Sequence, residues 1–316
     1  MLTNRVLNWK KEPEDSRDFK FSDTFKVSPR TMLPMTSSVE GLIPDIWDQL
    51  NIGSCVAFST DMELLYQSRI QNREINPSKL FTYYITRDYE GTVDEDSGCY
   101  IRDAFKCLNK TGVCKEETWP YIESKFKVKP PDIAYQEASK TILTTYHKLD
   151  NTRLEELKTC IAELKKPFVF GFNVYTSFMY GNWSSIMPIP NKAKESILGG
   201  HAIIAVAYDD NKQAFKIKNS WGKDWKEGGS FWMPYSFITS QECSDFWVIE
   251  QISDSVQPKP IDPTVDIRKI FKSKKDLDSI SKVYIVRIGQ FFNLGVDINF
   301  TKKKNLDIVS NYLNLI

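Results

Sequence analysis

The sequence predicts an α+β fold in two halves, helices first and strands second. Between Leu42 and about Lys140 apolar residues recur near helical spacing, as in Ala57, Phe58, Met62, Leu65 and Ile70. From Phe168 onward short apolar runs separated by turn residues take over, the pattern of strands. The run from Gln257 to Pro263, with prolines at 258, 260 and 263, then breaks the globular pattern as a stiff linker. These limits give an N-terminal arm over 1–40, a main domain over 41–251 with its helical half at about 41–140 and its sheet half at about 141–251, a linker over 252–263 and an extension over 264–316.

The chain has 316 residues, enough for about two domains and a substantial core. Hydrophobic content of 41% with 13% aromatics describes a globular chain, not a disordered one. A net charge of +1 gives no electrostatic case for nucleic acid. No run approaches the ~18 apolar residues of a membrane span. The start lacks the apolar core of an export signal, so a reducing compartment is expected. In such a compartment the six cysteines read as free, mostly buried thiols. Cys99, Cys107 and Cys114 lie close together without a Cys-x-x-Cys pair, so zinc is not expected.

The elements follow in order. Residues 1–40 scatter Trp9, Phe19, Phe21 and Phe25 among charges, and the polar run Lys10 to Asp18 reads as extended. Ser54 is placed to cap a helix that begins at Cys55. Ser78 caps the next one, ahead of Lys79 and Leu80. The acidic loop Asp94 to Gly98 reads either as a solvated turn or as a cleft wall where Gly98 lets a substrate backbone approach. Its spacing does not fit a calcium loop. A helix is expected over Tyr100 to Asn109, and another over Leu154 to Leu164, with Glu155 and Glu156 early and Lys165 and Lys166 at its end, as the helix dipole favours. Strands are expected at Phe168–Val174, His201–Tyr208, Phe215–Lys218, Ser230–Pro234 and Phe246–Gln251, with Asp209 to Asn211 turning a hairpin. Trp183, Trp225 and Trp232 read as packing residues. Past the linker, ten Lys and Arg stand against five Asp, with strand-like runs at Val283–Gly289 and Leu294–Phe300, a basic turn at Lys302–Lys304 and an apolar end. That extension reads as a removable tail, as plain packing, or as an accessory module for a protein partner or surface.

The chemistry centres on Cys55. A thiol in the first turn of a helix feels the positive end of the backbone dipole, which favours the nucleophilic thiolate. The chain has two histidines. His201 follows Gly199-Gly200 at the head of an apolar strand and is the better base, whereas His147 reads as a surface or strand position. A strand then delivers Asn219 beside Trp221; an Asn carbonyl oxygen can accept the second ring N–H of the histidine, and an indole can keep water off that bond. Gln49, upstream of Cys55, carries an amide that can donate to an oxyanion.

Gln49, Gly53-Ser54-Cys55, Gly200-His201-Ala202 and Asn219-Ser220-Trp221-Gly222, in that order, resemble the signatures of the papain family of cysteine peptidases over roughly Leu33 to Glu250. The resemblance implies a helical left half, an antiparallel barrel on the right and the active site between them. It implies Cys55 as nucleophile, His201 as general base and acid, Asn219 as orienter, Trp221 in support, and Gln49 with the Cys55 backbone N–H as oxyanion hole. The substrate would be a polypeptide, with no metal or organic cofactor. Residues 1–40 would be a pro-segment lying backward through the cleft, or an ordinary arm. Val56 stands where an aromatic is usual and Ile52 where a disulfide cysteine is usual. The pieces around Cys99 and Cys114, with Gly199-Gly200 after Pro188-Ile189-Pro190, resemble the branch of bacteria and large DNA viruses, so a cytoplasmic or virion-associated enzyme is expected. The same triad could also run acyl transfer to an amine, and a chain with a dead site would be a binding protein.

Overall fold

In the computed structural model, residues 5–43, 46–253 and 301–312 are described. The chain falls into two units, 1–256 and 257–316.

In the first unit the helical half is built around α2, Cys55–Ile70, whose residues from Cys55 to Ser68 are all buried. The helix is buried on every side although it carries polar residues such as Asp61 and Glu63, and it packs against strands and against its neighbouring helices. It follows the short α1, Phe21–Thr24, and is followed by α3, Lys79–Glu90, and α4, Ile101–Lys110. The α3 cap is as expected: Ser78 accepts from the Phe81 N–H at 3.1 Å, and Gly91 closes the helix in the left-handed region. Ser54 does not cap α2. Its hydroxyl is engaged with the Tyr121 hydroxyl at 2.7 Å, a partner far along the chain.

A short α5, Asp132–Ala138, leads to β2, Ile142–Lys148, and α6, Leu154–Ala162. Helix α6 ends two residues before the expected Leu164, and Lys165 takes a left-handed φ of 54°. Then come β3 Phe168–Tyr175, α7 Thr176–Tyr180, β4 Ile197–Asp209, β5 Ala214–Lys218, β6 Ser230–Pro234, α8 Tyr235–Ile238 and β7 Cys243–Ser253. The strands pair antiparallel in the order β2-β7-β3-β4-β5-β6, the sheet-rich half that the resemblance implies. Phe168 and Phe170 of β3 meet Phe246 of β7 in the core, the latter pair stacked at 4.6 Å. All six cysteines are free and buried. Trp183 and Trp225 pack in an aromatic cluster with Phe178 and Phe231.

The arm is partly woven into this body. A strand β1, Thr36–Ser38, pairs antiparallel with β4. Phe21 is fully buried, and Phe25 stacks edge-on against His147. His147 is therefore a buried strand residue, its Nε2 3.0 Å from Glu250. The acidic loop is not a freely solvated turn: Asp96 accepts from the Gly53 N–H at 2.9 Å and from the Tyr83 hydroxyl.

In the second unit the described element is α9, Lys302–Tyr312. The basic run Lys302–Lys304 is thus the first turn of a helix, not a loop. Thr301 Oγ1 accepts from the Lys304 N–H at 3.2 Å, which caps it. The linker and the two strand-like runs lie outside the described residues.

Candidate active site

Strand β4 carries His201 and β5 delivers Asn219 just past its end. Pairing of Ile204 with Lys218 sets the register that brings the two together. His201 Nε2 lies 2.7 Å from Asn219 Oδ1. An amide oxygen only accepts, so the proton sits on Nε2 and leaves Nδ1 with its lone pair free, the form a base requires. The Trp221 indole stacks on the imidazole at 4.7 Å and covers that bond. Gln49 is fixed to the same corner: its N–H donates to the Ser220 carbonyl at 2.8 Å, its Oε1 accepts from Ser220 Oγ at 2.6 Å, and its Nε2 donates to the Ile52 carbonyl at 3.1 Å. One amide hydrogen of Gln49 then remains for a ligand.

Cys55 opens α2 and is fully buried. Its thiol is pushed up to about 11, first by burial, against the opposing pull of the Ala202, Val56, Cys55 and Trp9 N–H groups. The helix terminus does not win here. Burial likewise lowers His201 to about 4, and the nearby Arg5 charge adds to it. His201 Nδ1 has no hydrogen-bond partner. Thiol and imidazole are both held neutral, and no bond joins them.

The burial comes from the arm. Residues 5–12 run between the walls. The Trp9 N–H donates to the Gly200 carbonyl at 3.0 Å, and the Gly200 N–H donates to the Leu7 carbonyl at 3.2 Å. The Asn8 amide donates to the Asp96 carbonyl, and a Cβ at Gly98, where φ is 70°, would run into the Asn8 carbonyl. The Trp9 indole lies where a side chain at Gly171 would stand. At one end Arg5 grips Asp48 in a two-pronged pair and also donates to the carbonyls of Leu50 and Trp221. At the other, Glu12 meets Arg102, Lys148 and the Trp247 N–H. Sequence reasoning did not assign roles to Arg5, Asn8, Asp48 or Gly171. Trp9 alone, an aromatic among charges, left a signal.

Residues 35–245 match the family model described as papain family cysteine protease. The chain belongs to that family. It is a cysteine-type peptidase, a hydrolase. It is 38% identical over 231 residues to a peptidase C1-like protein of Acanthamoeba polyphaga mimivirus, covering 68% of this chain and 74% of the relative. A cathepsin B-like protein of Giardia intestinalis is 29% identical over 198 residues, covering 60% of this chain and 64% of that one. Among solved structures, xylellain, a cysteine protease from Xylella fastidiosa, superposes with a TM-score of 0.72 at 34% identity, covering 79% of this chain and 97% of the other. The viral and bacterial matches agree with the branch that the motifs resemble. Among the described residues no helix is long and apolar enough to cross a membrane.

Proposed function

We propose that this papain-family enzyme is an endopeptidase that cleaves through a thioester on Cys55 and is made in a self-blocked state. The observation that carries the proposal is the Asn219–His201–Trp221 constellation facing the Cys55 helix terminus across a groove that the protein's own residues 5–12 occupy.

Once the arm leaves, water returns to the groove and the burial that holds both groups neutral is relieved. The His201 Nδ1 lone pair takes the Cys55 proton. The thiolate attacks a peptide carbonyl carbon, and the resulting oxyanion receives the free Gln49 N–H and the Cys55 backbone N–H, each worth about 2.7–4 kcal/mol in comparable sites. The imidazolium then protonates the departing amine as the C–N bond breaks. A water deprotonated by His201 resolves the thioester and releases the acid and the thiol. Asn219 holds the ring in one tautomer throughout, and Gly98 offers a surface without a side chain to the substrate backbone.

The arm inhibits in two ways. It fills the space a substrate would take, and by burying His201 it opposes the imidazolium that catalysis needs. Iodoacetamide labelling at Cys55, lost in Cys55→Ala and slowed in His201→Ala, with peptide hydrolysis appearing only when the arm is displaced, tests the proposal. Full hydrolysis with residues 5–12 still docked would overturn the self-blocked state. No hydrolysis after displacement would overturn the peptidase mechanism.

A further inference from the structure

The arm divides into two parts with different attachments. Residues 5–11 touch the walls of the groove. They approach the glycines 53, 98, 171, 199 and 200, surfaces that remain as a groove when the segment goes. Residues 18–38 are part of the body. Phe21 is fully buried and packs on Phe25 at 4.9 Å. The Lys148 N–H donates to the Phe19 carbonyl at 2.7 Å, the Ser28 N–H donates to Thr159 Oγ1 at 3.2 Å, and β1 extends the sheet at β4.

Between the two lies Pro13 to Arg17, exposed except for the partly covered Asp15. At its groove end Arg102 Nη1 donates to the Pro13 carbonyl at 2.8 Å; beyond that the bonds of the turn are local, with the Asp18 N–H donating to the Asp15 carbonyl and Arg17 pairing with Asp15. Beneath the stretch is a cavity of about 750 Å³, bounded by Glu14 and Ser16 on the arm side and by Asn151, Thr152, Thr239 and Ser240 on the body side. From Glu14 to Ser16 the turn lies over this open space.

Arg102 of α4 stands at the junction and is held by Glu12, the Pro13 carbonyl and Asp18. Glu12 lies 3.3 Å from it on the groove side, and Asp18 binds it through two hydrogen bonds of 2.8 and 2.7 Å on the other. Lys148 is shared the same way, 3.3 Å from Glu12 and 2.9 Å from Asp18. If Glu12 leaves, both cations keep Asp18, and the cost falls on Asp245, which loses the Glu12 N–H it accepts from at 3.0 Å.

We propose that residues 5–12 are a detachable plug, that 13–17 are the hinge or cutting point, and that 18–38 are a permanent belt which stays with the active enzyme. The proposal rests on the reading of the arm as the blocking element and sharpens it. Removal of the whole 1–40 segment would open the groove only by damaging the fold.

The test uses the full chain with a recognition sequence for a site-specific protease inserted between Glu14 and Asp15. After cutting, the N-terminal peptide is expected to separate on gel filtration, Cys55 alkylation by iodoacetamide, located by peptide mapping, to rise at least about tenfold, and the Tm to stay within about 3 °C. Two uncut variants give an independent reading. Trp9→Ala is expected to speed Cys55 alkylation at least about tenfold. Phe21→Ala is expected to lower Tm by about 6 °C or more while leaving the alkylation rate of the folded fraction within about twofold. A cut chain that keeps its peptide and its slow alkylation overturns the proposal. So does a cut that lowers Tm as far as Phe21→Ala, or a Phe21→Ala variant whose Tm is unchanged. Fast alkylation of a cut chain that hydrolyses no peptide would refute the peptidase mechanism and leave the plug and belt standing.

Discussion

Arg5→Ala offers a measurable opening of the groove. The guanidinium lies 2.5 and 3.2 Å from the two Asp48 oxygens and also donates to the Leu50 carbonyl at 2.9 Å and the Trp221 carbonyl at 3.2 Å. The Arg5 side chain is 12% exposed and that of Asp48 is 35% exposed. Such a pair is worth more than an exposed one, at about 0.2–1 kcal/mol, because its fork is two-pronged and mostly covered. It is worth less than the roughly 3–5 kcal/mol lost when a fully buried partner is stranded, because Asp48 can rehydrate. About 2 kcal/mol is the reasonable middle. At 1.4 kcal/mol per tenfold, the open fraction should rise about 30-fold. If closing is fast relative to reaction, the iodoacetamide rate at Cys55 reports that fraction directly. Arg5→Lys keeps the charge but loses the fork, and should fall between Arg5→Ala and the native chain. Alkylation of Arg5→Ala within twofold of the native rate would refute the claim that this clamp holds the plug.

Four other outcomes are expected. Burial raises Glu12 and Asp245, the latter to about 7, where the plug meets Arg102, Lys148 and Asp18. Carboxylates raised in the docked state give docking energy that is complete below their free values, about 4, and is lost as pH rises through the docked value. Cys55 protection should therefore weaken between about pH 4 and 7, and Glu12→Gln should flatten that dependence relative to the native chain. In the opened enzyme Gln49→Ala should lower kcat by about 10²–10³ with a small change in KM, read by steady-state peptide hydrolysis. Asn219→Ala removes the acceptor for His201 Nε2 and should cost roughly tenfold in kcat, the worth of one buried hydrogen bond. Gly98→Ala puts a side chain at a φ of 70° against the Asn8 carbonyl. It should speed Cys55 alkylation while slowing peptide hydrolysis, the pairing that distinguishes a shared backbone track from a local strain.

What could be read from the chain was what local pattern encodes. The glycines before His201, the strand that ends just before Asn219 and the Gly-Ser turn before Cys55 each lie within a few residues of the group they position. The strand runs of the second half and the Ser78 cap were legible for the same reason. Some failures are local, such as the basic run Lys302–Lys304, which opens a helix instead of turning, and the early end of α6; those at the site are long-range. Ser54 looks like a cap until Tyr121 takes its hydroxyl. The thiol looks activated by its helix until a segment some forty residues upstream buries it. Trp9 could be marked as unusual, but its partners are glycines, which carry no side-chain pattern to match. The boundary within the arm was hidden for a related reason: Trp9 and Phe21 are both aromatics among charges, and only the surfaces they meet tell the plug from the belt.

If residues 5–12 are the blocking plug, the covalent tether through 13–17 to Asp18 holds that peptide at the groove at a local concentration set by a few residues, on the order of millimolar. Its hold does not weaken when the enzyme is diluted, and a substrate arriving from solution competes with an occupant that never diffuses away. Severing that short connection would convert a constant into a variable: the same peptide, released into bulk, would fall to the concentration of the enzyme itself.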